Sequence, residues 1–132
     1  MYSRGKQEFV VAIDRAGGKT IWEKSNPAPT TGLILQVEDF NVRGPHSTPV
    51  IAGDLLVTVG LVGRMQAFEK QTGRVVWSND LWREYGGTRL ERGYVCSPLV
   101  YKNLAIVTVG GPGQALMAFD LQTGAVVWKK QT

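Results

Sequence analysis

The sequence predicts an all-β fold made of tandem four-stranded antiparallel units, and three observations lead there. Valine, isoleucine, threonine and aromatic residues crowd the apolar segments, while Gly, Pro, Asp and Asn punctuate them, as in short strands joined by tight turns. One pattern, Ala-x-(Asp/Glu)-x-x-x-Gly-x-x-x-Trp, occurs three times: "AIDRAGGKTIW" from Ala12, "AFEKQTGRVVW" from Ala67 and "AFDLQTGAVVW" from Ala118. Upstream of the last two copies the likeness continues, with "STPVIAGDLLVTVG" from Ser47 matching "CSPLVYKNLAIVTVG" from Cys96 after one inserted residue.

The tryptophans that close the three copies, Trp22, Trp77 and Trp128, lie 55 and 51 residues apart, which sets the length of the repeat. Each full unit reads as four strands. Strand A covers about 48–51 and 97–100, and strand B 55–59 and 104–109. Strand C ends in Met65-Gln66-Ala67-Phe68 and Leu116-Met117-Ala118-Phe119; strand D carries Val75-Val76-Trp77 and Val126-Val127-Trp128. The repeated phrase is therefore the hairpin between C and D. Gly18, Gly73 and Gly124 sit where the chain reverses, and glycine takes a positive φ there without steric cost. The acid of each copy, Asp14, Glu69 or Asp120, can accept hydrogen bonds from turn amides just downstream. Ala12, Ala67 and Ala118 are small enough for a bulky group to pack over them, and the tryptophan is that group. The first copy has only its C–D hairpin, over 7–24; full units follow over 47–79 and 96–130.

With 132 residues, 43% hydrophobic and 20% charged, the chain suits one modest globular domain. The net charge is +4, but the 15 lysines and arginines are scattered and form no run longer than Lys129-Lys130, so nucleic-acid binding is not expected. Cys96 is the single cysteine, which excludes an intramolecular disulfide and a thiolate metal cluster. No stretch approaches the ~20 apolar residues of a membrane helix, so membrane insertion is not expected, and no targeting signal is apparent.

Four-stranded units of this length in tandem suggest a β-propeller. The Trp-Asp dipeptide of one common propeller repeat is absent, and so is the Gly-Gly/Tyr/Trp spacing of the kelch repeat. The copies resemble instead the PQQ-like repeat of quinoprotein-type propellers, whose motif reads Ala-x-Asp-x-x-Thr-Gly-x-x-x-Trp. The copy from Ala118 matches every marked position, the copy from Ala67 has Glu69 for aspartate, and the copy from Ala12 has Gly17 for threonine. The resemblance implies that each tryptophan docks on the neighbouring blade near the glycine and alanine of the motif. It also implies an extracytoplasmic setting, and the wording of the repeats is closest to uncharacterised bacterial secreted members. The chain holds about two and a half blades, whereas closed propellers have four to eight. The expected partners are therefore the missing blades of a longer chain or further copies of this one in a homo-oligomer, together with other proteins.

Function is expected where the repeat breaks, in the long connections 25–46 and 80–95. Asp80-Leu81-Trp82-Arg83-Glu84-Tyr85 reads as one helical turn ended by Gly86-Gly87. Arg43, His46, Trp82, Arg92 and Tyr94 are the candidate ligand or partner residues, because loops entering the innermost strands of propellers line the axial funnel. A lone histidine falls short of a metal site, and neighbours His46 and Ser47 on a strand would face opposite ways. Gly110-Gly111-Pro112-Gly113 joins two strands and lacks the helix a phosphate cradle needs. No catalytic residue is assigned. The resemblance brings in the quinone PQQ with calcium, held in the dehydrogenases by a vicinal disulfide and acidic ligands; neither maps onto this chain, so no cofactor is expected. The sequence thus favours a non-enzymatic scaffold or protein-interaction segment. A piece of a quinone-dependent alcohol or sugar dehydrogenase is the alternative, and a polyanion-binding surface the third reading.

Overall fold

A computed structural model of the chain describes residues 1–29, 44–88 and 93–131. Its described residues form three antiparallel meanders. The first sheet holds β1 (Tyr2–Arg4), β2 (Gln7–Ile13) and β3 (Thr20–Pro27). The second holds β4 (Val50–Ala52), β5 (Leu55–Val59), β6 (Arg64–Glu69) and β7 (Val75–Asp80). The third holds β8 (Leu99–Tyr101), β9 (Leu104–Thr108), β10 (Leu116–Asp120) and β11 (Val126–Lys130). In each sheet the strands pair in chain order, as in the blades of a propeller.

Two details differ from the sequence reading. The first unit is more than a hairpin, because β1 adds a third strand beside β2. Tyr2 lies opposite Phe9, and their rings stack at 4.8 Å between centroids, a cross-strand aromatic pair that ties the short strand down. The first strands of the full units begin later than expected, at Val50 and Leu99. Pro49 and Pro98 stand just before them and have no N–H to give to a ladder.

The C–D hairpins repeat in detail. Ala12 lies opposite Trp22, Ala67 opposite Trp77, and Ala118 opposite Trp128. Immediately after each alanine the register shifts by a β-bulge. In each turn the glycine N–H donates to the backbone carbonyl of the acid at 2.8 Å: Gly18 to Asp14, Gly73 to Glu69, Gly124 to Asp120. Those glycines have φ of +69°, +70° and +73°, the left-handed region in which a side chain is strained. In the third hairpin Asp120 Oδ1 accepts the N–H groups of Gln122 and Thr123 and the Thr123 hydroxyl, at 2.9–3.0 Å.

Two apolar clusters join the sheets. Leu55, Val57, Val59, Met65, Ala67 and Trp77 of the second sheet meet Ala105, Val107, Met117 and Phe119 of the third. Val10 and Trp22 of the first sheet meet Phe68 of the second. No helix of the described residues is long and apolar enough to cross a membrane.

Candidate functional site

The tryptophan of one sheet meets the hairpin of the next. Trp22 leaves β3, and its indole N–H donates to the carbonyl of Lys70 in the following sheet at 2.9 Å. Its ring covers Gly73 so closely that a Cβ there would stand 2.6 Å from ring carbons. The ring also stacks on Phe68, at 6.0 Å between centroids. Trp77 repeats the arrangement one sheet on. Its N–H donates to the carbonyl of Leu121 at 2.9 Å, and a Cβ on Gly124 would stand 2.7 Å from the ring. The accepting residue follows the motif acid by one position in both cases. The glycine thus serves twice: it turns the hairpin and leaves room for the indole. Trp22 and Trp77 are 8% and 7% exposed, whereas Trp128, in the last of the described sheets, is 38% exposed.

Polar contacts flank these seats. Asn79, two residues past Trp77 on the same strand face, donates from Nδ2 to the Gly124 carbonyl at 2.8 Å. Asn26 donates to Gln66 Oε1 at 2.5 Å across the first boundary. Glu8, on β2, is buried and accepts the Leu61 N–H at 2.7 Å through Oε1. Burial holds its carboxyl above the ordinary carboxylate range, against the opposing pull of that N–H. Glu8 belongs to no motif. Its one sequence signal is alternation, since Glu8, Val10 and Ala12 share a face of β2 and that face is covered by the second sheet.

The loop candidates are placed as follows. Arg43 and Arg92 lie outside the described residues. His46 is half-buried, beside a Ser47 whose hydroxyl donates to the Val59 carbonyl rather than to a histidine. The turn after β7 forms as the sequence suggests. Glu84 N–H donates to the Asp80 carbonyl, Arg83 N–H to Asp80 Oδ1, and Gly86 carries a positive φ. Trp82 packs half-buried against the main core, with the Arg83 guanidinium 5.7 Å from its ring centroid. Tyr94 does not face a ligand space. It is a core residue, 5% exposed, wedged against Gly63 and Gly87, with its hydroxyl donating to the Val109 carbonyl at 3.3 Å. Burial pushes its phenol up to about 12, with the Asp80 charge adding to the shift. The sequence showed an aromatic off the repeat register but not the two glycines that make room for it.

Two open clefts among the described residues gather no catalytic set. One of about 510 Å³ lies between the turn at Gly53-Asp54 and Lys102, Leu121 and Gln122. Another, of about 470 Å³, lies between Glu84-Tyr85 and β11. Among the described residues no three of His, Cys, Asp and Glu are grouped as metal ligands, and Cys96 is a lone exposed thiol. The described residues thus do not form a cluster of acidic ligands of the kind that would hold calcium beside a quinone.

Across residues 6–132 the sequence matches a family profile described as "Outer membrane protein assembly factor BamB". The chain belongs to this PQQ-like repeat family. The protein of that name from Vibrio cholerae serotype O1 is 27% identical over 123 residues, covering 92% of this chain and 29% of that protein. The crystal structure of BamB from Moraxella catarrhalis superposes with a TM-score of 0.60 at 21% identity, over 98% of this chain and 32% of that one. A europium-containing methanol dehydrogenase superposes with a TM-score of 0.66 at 20% identity, over 91% of this chain and 20% of that one. Both superpositions speak for the fold, and the chain spans under a third of the length of each of these PQQ-like proteins.

Proposed function

We propose that the chain is a segment of a β-propeller that works as a protein-interaction scaffold, with the Ala-x-(Asp/Glu)-x-x-x-Gly-x-x-x-Trp motif locking blade to blade. The observation that carries this reading is the use made of the motif: Trp22 and Trp77 are spent on the hairpin of the next sheet, through Gly73 and Gly124. The motif acids hold their own turns, as Asp120 does. Residues occupied in this way build a platform and leave recognition to the connections between sheets. Those connections, 25–46 and 80–95, then carry the partner surface, with Arg43, His46, Trp82 and Arg92 as its residues and Tyr94 as the buried support beneath. Kinship with proteins named as outer membrane assembly factors supports a scaffold over an enzyme and an extracytoplasmic setting.

Titration with PQQ and calcium tests this. The scaffold reading expects no saturable change in quinone absorbance and no dye-linked oxidation of alcohols or sugars. A saturable change with turnover would overturn it in favour of a quinone-dependent dehydrogenase.

A further inference from the structure

The connection 80–95 is clipped near both ends to one short turn, residues 60–63, which joins β5 to β6. The Gly63 carbonyl accepts the Leu81 N–H at 2.9 Å, where the connection leaves β7. The Leu61 carbonyl accepts the Tyr94 N–H at 2.9 Å, where the connection returns. Side chains follow the same path. The Tyr94 ring lies over Gly63, 2.6 Å from where a Cβ would stand, and the buried Leu61 side chain lies over Gly93, 2.7 Å from where a Cβ would stand. The Tyr94 hydroxyl then reaches the Val109 carbonyl just past β9. Turn 60–63 is also tied to its own hairpin, by the Gly60 N–H on the Arg64 carbonyl at 2.8 Å and the Gly63 N–H on the Gly60 carbonyl at 3.0 Å.

A hold on this turn from another sheet comes from Glu8. Its carboxyl crosses the first boundary, where Oε1 accepts the Leu61 N–H at 2.7 Å. Oε2 fills the space beside Gly60 so closely that a Cβ on that glycine would collide with it. A buried carboxyl is costly to place. An apolar residue would serve the packing of this boundary as Val10 does, two residues on along the same face of β2. What the carboxyl adds is an acceptor for Leu61.

We propose that Glu8 is a positioning residue for the connection 80–95: through Leu61 it fixes turn 60–63, and through that turn both ends of the connection. The first sheet thereby sets the shape of a surface carried by the chain between the second and third sheets. This rests on the reading of 80–95 as a partner surface.

Amide hydrogen exchange on the full chain, resolved by residue with NMR, tests it. Glu8→Ala should speed exchange at Leu61, Leu81 and Tyr94 by about tenfold. Gly124, whose N–H bonds to Asp120 in the hairpin of the third sheet, should keep its wild-type rate. Glu8→Gln keeps an oxygen for Leu61 and should restore protection at all three amides. Gly60→Ala should reproduce Glu8→Ala, because Gly60 is outside the positive-φ region and its Cβ is opposed by the carboxyl rather than by the backbone. Added to Glu8→Ala, it should speed exchange no further. An equal rise at Gly124, a rise at Leu61 alone, or a Glu8→Gln variant no better protected than Glu8→Ala would each overturn the proposal. Exchange is read with no partner present, so a negative result leaves 80–95 standing as a partner surface, and the lack of a partner leaves the exchange result standing.

Discussion

The indole N–H of Trp77 donates to the carbonyl oxygen of Leu121 at 2.9 Å, across the boundary between the second and third sheets. A buried tryptophan there contributes both area and a satisfied donor. Trp77→Ala should therefore cost about 3–5 kcal/mol. Trp77→Phe keeps most of the area but leaves the Leu121 carbonyl without its donor, and should cost about 1–3 kcal/mol. Urea unfolding followed by far-UV circular dichroism measures both. A loss under about 1 kcal/mol for the alanine variant would mean that Trp77 does not bind the sheets together.

Glu8 gives a pH-dependent signature. Its folded-state pKa is raised by burial, so the native state holds the proton at pH values where the unfolded chain has released it. The stability this group allows is therefore fully present below the ordinary carboxylate pKa. It falls as pH rises through the window between that value and the raised one. Glu8→Gln keeps an oxygen for the Leu61 N–H and removes the titration. Its stability relative to wild type should increase between pH 4 and pH 7, measured by thermal unfolding. An offset that does not change with pH would rule out a buried, titrating Glu8.

Asp120 works in the opposite sense. Hydrogen bonds from Thr123, first through its N–H and then its hydroxyl, hold the carboxyl below the usual range. The stabilisation is present above the unfolded-state pKa and is lost as pH falls through the lowered folded value. Asp120→Ala should destabilise the chain at neutral pH, and the gap to wild type should narrow in strong acid. Equal gaps at neutral pH and in strong acid would show that the charge is not what holds the turn.

Lys102 is the one non-glycine residue with positive φ among those described, at +54°, in the turn where the preceding unit has Gly53 at +60°. Lys102→Gly should relieve that strain and stabilise by about 0.5–1 kcal/mol, since glycine's extra entropy when unfolded offsets part of the gain. A lower unfolding midpoint would show that the contact of the Lys102 amine with the Tyr101 ring, 5.4 Å away, outweighs the strain.

Much of the fold was legible because the repeat marks its own turns. Strand β5 is read to the residue, and β6, β7, β10 and β11 contain the runs assigned to them. Motif glycines and acids determine those hairpins locally, through bonds spanning three to five residues. Strand β1 escaped because three residues, Tyr2 to Arg4, show no periodicity and are held by a stacked ring across the sheet. The site was less legible for the same reason. Tyr94 looks like a loop aromatic until Gly63 and Gly87 are brought against it, and Glu8 looks solvated until the second sheet covers it. Those contacts join residues far apart in the chain, and spacing alone does not encode them.

The central claim is that Trp77 and Gly124 form one junction, and a double-mutant cycle tests it most directly. A Cβ on Gly124 meets both a positive φ and the indole, whereas on Gly53 it meets only the positive φ, with open space around it. Stabilities of wild type, Trp77→Ala, Gly124→Ala and the double variant are measured by urea unfolding in a common sucrose buffer that keeps all four folded. The account predicts that Gly124→Ala costs more than Gly53→Ala in the wild type. In the Trp77→Ala background the cost should fall to that of Gly53→Ala, giving a coupling of at least about 1 kcal/mol. Costs that add to within about 0.5 kcal/mol would contradict it, because residues that do not touch are expected to behave in that way.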